Sequence, residues 1–546
     1  MTRADGGTGT DGVADVVIIG AGASGSVAAA RLARAGFDVV CLEQGGFTDP
    51  REFPGDKLEW ELLAPKTWHP NPNVRGRAAD YPCETSESDV NPLMWSGVGG
   101  STILWAAHWV RMLPSDFRVR TLDGIADDWP FTYEDLLPSY QEVEKEFAVS
   151  GLGGDPAYPD GAAMPLPPLP IGRMGRKAAE GMDALGWHWW PGPNAIASRD
   201  HGNLRACGLR GTCLTGCPDH AKASTDLTHW PGATEAGARL VTGARVREIT
   251  VDGQGRATGA VYVDRDGREH RQDAQVVIVC ANGVGTPRLL LLSTSARFPD
   301  GLANSSGLVG KRLMMHPYAA VVGFYEDPLE SWLGPSGQMI QSMQFYETDE
   351  SRGFVRGAKW QVMPTGGPLG LRSGYGGAPL EERFGPALHR NLHEEFGHGF
   401  EWGIIAEDLP EESNQVRLDP ELRDSDGIPA PRIVYRNSDN TRAMLDFHVA
   451  RAQEAHEAAG AQKTAVTRLM RDCGWHLMGT CTMGEDPATS VVDQWGRAHD
   501  VPNLYVYDGS VFPTSAGANP TATLAAVALR CVTHLIAERR NQEVPT

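Results

Sequence analysis

The chain is short of basic residues and of long apolar runs, and each shortage excludes a class of partner. Lys and Arg number 49 against 69 Asp and Glu, a formal net charge of −20. A phosphate backbone or an anionic membrane surface would therefore be repelled. No segment approaches the roughly 20 consecutive apolar residues of a membrane span. The amino terminus, MTRADGGTGTDGVAD, has no apolar core of a secretory signal. The expected setting is the cytoplasm, and export on a signal-bearing partner would leave no trace in this sequence. Nine cysteines among 546 residues are too few and too odd a number for a disulfide scaffold. What is present is ample for folding: 41 % hydrophobic and 22 % charged residues describe a chain that buries a core. At roughly 150 residues per domain, the length allows about three or four domains.

The first readable unit is Ala14 to Ile19, a short apolar run ending at Gly20, which reads as a fully buried parallel strand. Gly20-Ala21-Gly22-Ala23-Ser24-Gly25 then opens a helix predicted over Ser26 to Ala35. Gly36 stops it, and a second strand is predicted from Phe37 to Leu42, ending at Glu43. This is a βαβ unit with a dinucleotide fingerprint. Gly20 permits the tight turn, Gly22 lets backbone approach a pyrophosphate, and Gly25 lets helix and strand pack closely. Glu43 stands where a carboxylate bonds ribose hydroxyls. The competing reading, a Gly-rich turn of an ordinary α/β protein, requires strand, glycines, helix, strand and acid to coincide by chance.

Further strands are predicted at Ala244 to Val251, Ala260 to Asp264 and Gln275 to Cys280, and an amphipathic helix at Asn440 to Ala459. Gly151 to Arg173 reads as an exposed linker, and Pro364 to Pro379 as a Gly-dense loop. Trp187-His188-Trp189-Trp190 is either an aromatic platform for a sugar face or partly core and partly lid. His316, in Met314-Met315-His316-Pro317, reads as structural.

Three further blocks carry a family resemblance. Asn91 to Thr102 (NPLMWSGVGGST), Asn282 to Leu291 (NGVGTPRLLL), and the closing stretch from Trp475-His476-Leu477 through Asp508-Gly509-Ser510 to Asn519-Pro520-Thr521 resemble the glucose–methanol–choline (GMC) oxidoreductases, which bind FAD. The resemblance runs from about residue 14 to residue 540, and its middle is loose. It implies an α/β fold, with a Rossmann-like FAD domain built from discontinuous segments (13–118, 225–318 and 476–546). An inserted α+β substrate domain would come from 119–224 and 319–475, with a sheet roofing the flavin. It implies that Gly99, Ser101, Thr102, Val246, Asp508 and Thr521 join Gly20, Gly22, Gly25 and Glu43 in binding the cofactor. His476 falls on the family's catalytic base and Asn519 on the second catalytic position. An imidazole suits removal of a hydroxyl proton while hydride leaves for flavin N5. Asn519 would orient the alcohol without competing for the proton. Some sugar-oxidising relatives hold FAD through a His in a Ser-Thr-His-Trp context. Here the stretch reads Thr102-Ile103-Leu104-Trp105, so non-covalent FAD is expected.

Cys207, Cys213 and Cys217 fall within one Gly-rich loop, with Pro218 following. A zinc site usually takes four ligands, whereas a [3Fe–4S] cluster takes one thiolate per iron. The spacing is similar to that of bacterial FAD-dependent sugar dehydrogenases, in which such a cluster passes electrons from flavin to a cytochrome. Buried thiols, or one disulfide and a spare thiol, remain the alternative. The function expected is oxidation of an alcohol group of a sugar, glycoside or sugar acid to a carbonyl, with a small subunit and a cytochrome or other acceptor as candidate partners. An oxygen-using oxidase without a cluster is the runner-up, followed by a flavin-binding lyase and a non-catalytic electron-transfer subunit. An NAD-dependent enzyme is disfavoured by the closing Asp508/Asn519 block.

Overall fold

The computed structural model describes residues 12–373 and 385–543. Apolar runs that are buried on both faces build its first sheet. β1 (Ala14–Ile19) lies between β2 (Val39–Glu43) and the second half of the strand Glu269–Val279, parallel to both. Arg239–Thr242 extends the sheet beside β2, and Leu504–Val506 lies parallel to Glu269–Val279 on the other side. Five parallel strands thus come from three distant parts of the chain. The first half of Glu269–Val279 leaves the parallel core and pairs antiparallel with Ala257–Val263, which pairs with Arg245–Val251. Arg245–Val251 matches the expected strand to one residue, whereas Ala257–Val263 and Glu269–Val279 begin earlier than expected, the latter because its polar, partly exposed first half pairs in the antiparallel meander.

α1 (Ala23–Arg34) crosses between β1 and β2, beginning three residues before the expected Ser26. Gly25 therefore sits inside its first turn. A Cβ there would lie 2.0 Å from the Gly20 carbonyl oxygen, so no larger residue lets the helix start so close to the strand. α2 (Asn282–Leu292) follows Glu269–Val279 in the same way. α3 (Thr521–Glu543) contains a 21-residue stretch, Thr521–Asn541, long and apolar enough by average hydropathy to cross a membrane. It is not a run of consecutive apolar residues, since Arg530, Glu538, Arg539 and Arg540 interrupt it. Just over half of the stretch is buried inside the protein, against α1 and the helix Tyr133–Glu146, and this packing accounts for its apolar character.

The second sheet is antiparallel, in the order Lys463–Thr467, Tyr318–Phe324, Gly399–Ala406, Ala358–Met363, Ile340–Ser342 and Trp190–Pro191. Its outer face, carrying Val321, Trp360, Val362, Phe400, Trp402 and Ile404, packs on the helices Gly172–Leu185 and Asp439–Ala458. Alternation puts Tyr318, Lys359, Gln361, Met363, Glu401 and Ile405 on the opposite face, and all six are buried. A third small sheet joins Gln415–Arg423, Pro429–Tyr435 and Glu84–Ser88.

Two irregular stretches differ from expectation. Gly151 to Arg173 is not an exposed linker: Tyr158 donates to the Arg111 carbonyl, and Asp155, Ala162 and Leu166 are buried. The loop Pro364 to Pro379 contains a short helix, Pro368–Ser373, and residues 374–379 lie outside the described residues. The aromatic run is turned away from the interior cavity. Trp187 packs edge-on against Phe345 and Trp360, and Trp190 donates to the Leu152 carbonyl.

Candidate active site

A cavity of about 310 Å³ lies between the carboxyl ends of the parallel strands and the inner face of the antiparallel sheet. This is the crevice in which open α/β sheets bind ligands. Of the predicted cofactor residues, Gly20, Gly22, Glu43, Ser101, Thr102, Val246, Asp508 and Thr521 line it. Gly25 and Gly99 stand behind the wall, Gly25 packing on Gly20 and the Gly99 amide donating to the Ala21 carbonyl at 3.0 Å.

α1 opens on the cavity through Gly22, Ala23 and Ser24. Its cap residue is a glycine with no side-chain hydrogen bond, and its first turn holds no acid. The first amide groups and the positive end of the helix dipole are therefore offered to the cavity, where an anion binds well. Gly100 sits across from this turn at φ +53°, and a Cβ on it would come 2.7 Å from the Gly22 Cα. A side chain at Gly100 would close the groove. Glu43, wholly buried, accepts the Ala21 amide at 2.9 Å through one oxygen and the Gly45 amide at 2.8 Å through the other. Burial pushes its carboxyl above the usual range, opposed by these amides. Asp508 accepts the Asn282 amide at 3.0 Å and the Ser510 amide at 2.9 Å, which ties the start of α2 to the closing segment. Among the described residues, three cavity-lining donors lack partners: Trp95 Nε1, Trp105 Nε1 and His108 Nε2. Unpartnered buried donors, an uncapped helix start and a Cβ-free groove are what an elongated, phosphate-bearing, polar-edged cofactor such as FAD would satisfy.

His476, half-buried, and Asn519, buried, both line the cavity. His476 Nδ1 lies 2.8 Å from Nδ1 of His316, whose Nε2 lies 2.7 Å from the Ala516 carbonyl and 3.1 Å from that of Ser515. The carbonyls accept, so His316 carries its proton on Nε2. Burial lowers its pKa to about 4, so it is neutral and its Nδ1 accepts. His476 must then donate from Nδ1, which leaves its Nε2 unprotonated, a tautomer assigned from the hydrogen-bond network. Burial, reinforced by His316, His108 and Lys359, pushes the His476 imidazolium well below its usual range. It is a base in waiting.

Asn519 accepts from Lys359 Nζ at 2.6 Å and turns its Nδ2 to His108 Nδ1 at 3.4 Å. His108 is lowered to about 3, chiefly by burial, so it is neutral, with the proton on its unpartnered Nε2. Around this polar end the wall is apolar or aromatic: Met363, Ile405, Trp475, Leu477 and Tyr318. Tyr318 in turn donates to Glu401 at 2.5 Å.

All nine cysteines are free. Cys207, Cys213 and Cys217 lie on one half-buried loop whose Leu214 reaches the cavity. Among the described residues, no three His, Cys, Asp or Glu side chains converge on a single metal ion. A polynuclear cluster, with one thiolate on each iron, holds its thiolates farther apart than one ion does. The loop has features suited to one: the Leu209 amide donates to Cys207 Sγ at 3.4 Å and the Ala221 amide to Cys217 Sγ at 3.2 Å. The buried Lys222 ammonium binds the Cys213, Ile103 and Trp105 carbonyls at 2.5, 2.9 and 2.9 Å, fastening the cysteine loop to the loop under the cavity.

Sequence reasoning missed His108, Lys359 and the coupling of His316 to His476. His108 follows the Thr102 block by six residues without any motif of its own. Lys359 was legible only as alternation, Ala358-Lys359-Trp360-Gln361-Val362-Met363, whose polar positions needed the sheet to place them over a cavity.

Models of the GMC oxidoreductase family match residues 14–318 and 410–528 of the chain. It is 41 % identical over 526 residues to the 2-methyl-1,2-propanediol dehydrogenase of Mycolicibacterium austroafricanum, covering 94 % of each chain. It is 30 % identical to the fructose dehydrogenase large subunit of Gluconobacter japonicus (95 % of this chain, 96 % of that one). It is 31 % identical to the 6'''-hydroxyparomomycin C oxidase of Streptomyces lividus (97 % and 93 %). Its fold is similar to that of pyridoxine 4-oxidase from Mesorbium loti, with a TM-score of 0.66 at 20 % identity over 95 % of this chain and 99 % of that one.

Proposed function

The chain belongs to the GMC oxidoreductases, flavoprotein oxidoreductases of CH–OH groups, and on that premise we propose that it oxidises one hydroxyl of a vicinal diol, sugar or glycoside to a carbonyl with non-covalent FAD. The observation that carries this reading is the polar end of the cavity. His476, with one imidazole nitrogen unprotonated, lines the same cavity as Asn519, which offers Nδ2, and His108, which offers an N–H. A secondary or primary alcohol fits that trio: its O–H points at the acceptor and its oxygen lone pairs at the donors.

His476 Nε2 takes the hydroxyl proton, and the imidazolium that forms shares its Nδ1–H with His316. Asn519 and His108 hold the oxygen as negative charge develops on it. Bound in the cavity, the flavin would accept hydride from the carbinol carbon. Gly20, Gly22, Gly25, Gly99, Ser101, Thr102, Glu43, Val246, Asp508 and Thr521 are the residues proposed to hold it, with Leu104 offering no attachment point. Met363, Ile405 and Trp475 exclude water from the reacting carbon. Several donors and acceptors beside an apolar wall favour a substrate with more than one hydroxyl. The names of the diol dehydrogenase and fructose dehydrogenase relatives support this.

Cys207, Cys213 and Cys217 would hold a [3Fe–4S] cluster, which supplies single-electron transfer. The relative named as a large subunit supports a partner that receives those electrons, and the acidic surface suits a basic one. An oxygen-using oxidase is the second reading, favoured by the relative named 6'''-hydroxyparomomycin C oxidase. Anaerobic titration of the oxidised holoenzyme with 1,2-diols, fructose and simple glycosides tests the substrate. The flavin absorbance is expected to bleach with one of these classes, and bleaching only by monohydric alcohols overturns the polyol reading.

A further inference from the structure

A fully buried lysine lies directly behind the alcohol-binding end. Lys359 is fully buried, on the strand Ala358–Met363, and its Nζ has three neighbours. These are Gln338 Oε1 at 2.6 Å, Gln361 Oε1 at 2.8 Å and Asn519 Oδ1 at 2.6 Å. Three amide oxygens converge on the nitrogen, one for each ammonium hydrogen, as a charged lysine requires. The backbone is fixed as well. The Lys359 amide donates to the Gly517 carbonyl at 3.2 Å, and the Gly517 amide donates to the Tyr346 hydroxyl at 3.0 Å. The loop bearing Asn519 is thus clamped to the strand bearing Lys359 by main chain and side chain together.

An asparagine amide is nearly symmetric in shape and opposite in chemistry at its two ends. With its NH₂ toward the alcohol it donates to the substrate oxygen. Flipped, it would present a second acceptor, competing with His476 for the hydroxyl proton and repelling the developing alkoxide. The partners of Gln338 and Gln361 fix their own orientation, since Gln338 Nε2 donates to the Pro193 carbonyl and Gln361 Nε2 to the Met363 sulfur. Lys359 is left to choose the orientation of Asn519.

We propose that Lys359 is a positioning residue of the oxidation reaction: its ammonium, anchored by Gln338 and Gln361, holds the Asn519 oxygen away from the alcohol and so presents the Asn519 NH₂ to it. This rests on the reading of Asn519 as the residue that orients the substrate. Burial pushes the Lys359 ammonium well below its usual range, and the three amide oxygens that accept its hydrogens oppose that; while it holds its proton, its charge is one of the groups that keep the His476 imidazolium low. Removing it both frees the amide and makes His476 easier to protonate.

The test is a double-mutant cycle on the FAD-loaded enzyme, reading the limiting rate of anaerobic flavin reduction by its alcohol. Lys359→Met is expected to lower that rate by about 10- to 100-fold, the worth of a hydrogen bond to a charged group. Asn519→Ala is expected to lower it at least as much. The double variant should be no slower than Asn519→Ala alone, because the lysine then has no amide to orient. The acid limb of the rate in Lys359→Met should also move to higher pH, a shift that loss of packing would not produce. Losses that multiply in the double variant, or a Lys359→Met rate equal to wild type beside a slow Asn519→Ala, overturn the proposal. A wild-type rate in Asn519→Ala overturns the reading of Asn519 itself. If Lys359→Met fails to retain flavin, Lys359→Leu, which likewise has no donor, carries the same cycle, with the same outcomes deciding.

Discussion

His316→Leu is the substitution that reads the site's proton wiring most directly. In the native site the His476 Nδ1–H is held 2.8 Å from an acceptor that two main-chain carbonyls keep in its accepting tautomer. Leucine removes that acceptor and leaves a buried N–H unpaired, at a cost of about 1–3 kcal/mol. His476 can avoid most of the cost by moving its proton to Nε2, the nitrogen that must be free to accept the hydroxyl proton. At 1.36 kcal/mol per tenfold, the reactive tautomer then falls by about 5- to 150-fold, and the rate of flavin reduction should fall by about 10- to 100-fold. His316→Gln should lose less, since its Oε1 can accept from His476 while its amide nitrogen donates to Ala516. Anaerobic stopped-flow bleaching measures this, with flavin content as the control for folding. A His316→Leu enzyme with full flavin and a wild-type reduction rate refutes the tautomer argument.

Burial and nearby positive charge depress the His476 imidazolium, so the base is lost only when pH falls through that lowered value. The rate of flavin reduction should therefore stay level from about pH 8 down to about pH 6, below the ordinary histidine range. A midpoint at or above the ordinary histidine value contradicts the depressed imidazolium. With Leu104 lining the cavity where some relatives have a flavin-linking histidine, acid precipitation should release all the flavin into the supernatant, and yellow colour in the pellet rules out non-covalent binding. Anaerobically purified protein should contain about three irons with labile sulfide per flavin. Iron-free protein that turns over with oxygen instead supports the oxidase reading.

The parallel half of the fold was legible because its signals are local. An apolar strand, three glycines, a helix and an acid occupy residues 14 to 43, and the structure places them as a βαβ unit around one crevice. The cavity residues far apart in sequence, Val246, Asp508 and Asn519, were reached through motif resemblance, since no periodicity links them. What stayed hidden depends on long-range pairing. Lys359 reaches Asn519 on the cavity side of its sheet only because Ala358–Met363 pairs in register with Gly399–Ala406, and a shift of one residue would have put Trp360 on that face instead. His316 looked structural because its neighbours Met314 and Met315 are core residues. Its positive φ of 44° and its bond to a residue 160 positions away are invisible in one dimension. The aromatic run from Trp187 to Trp190 shows the converse, a conspicuous motif spent on packing.

The central claim is that His476 is the base that starts alcohol oxidation. His476→Ala, loaded with FAD to wild-type occupancy, is mixed anaerobically with an alcohol that bleaches the native enzyme. General-base catalysis predicts reduction slower by about 10²–10⁴-fold with the flavin spectrum otherwise unchanged. Bleaching at the native rate contradicts the account.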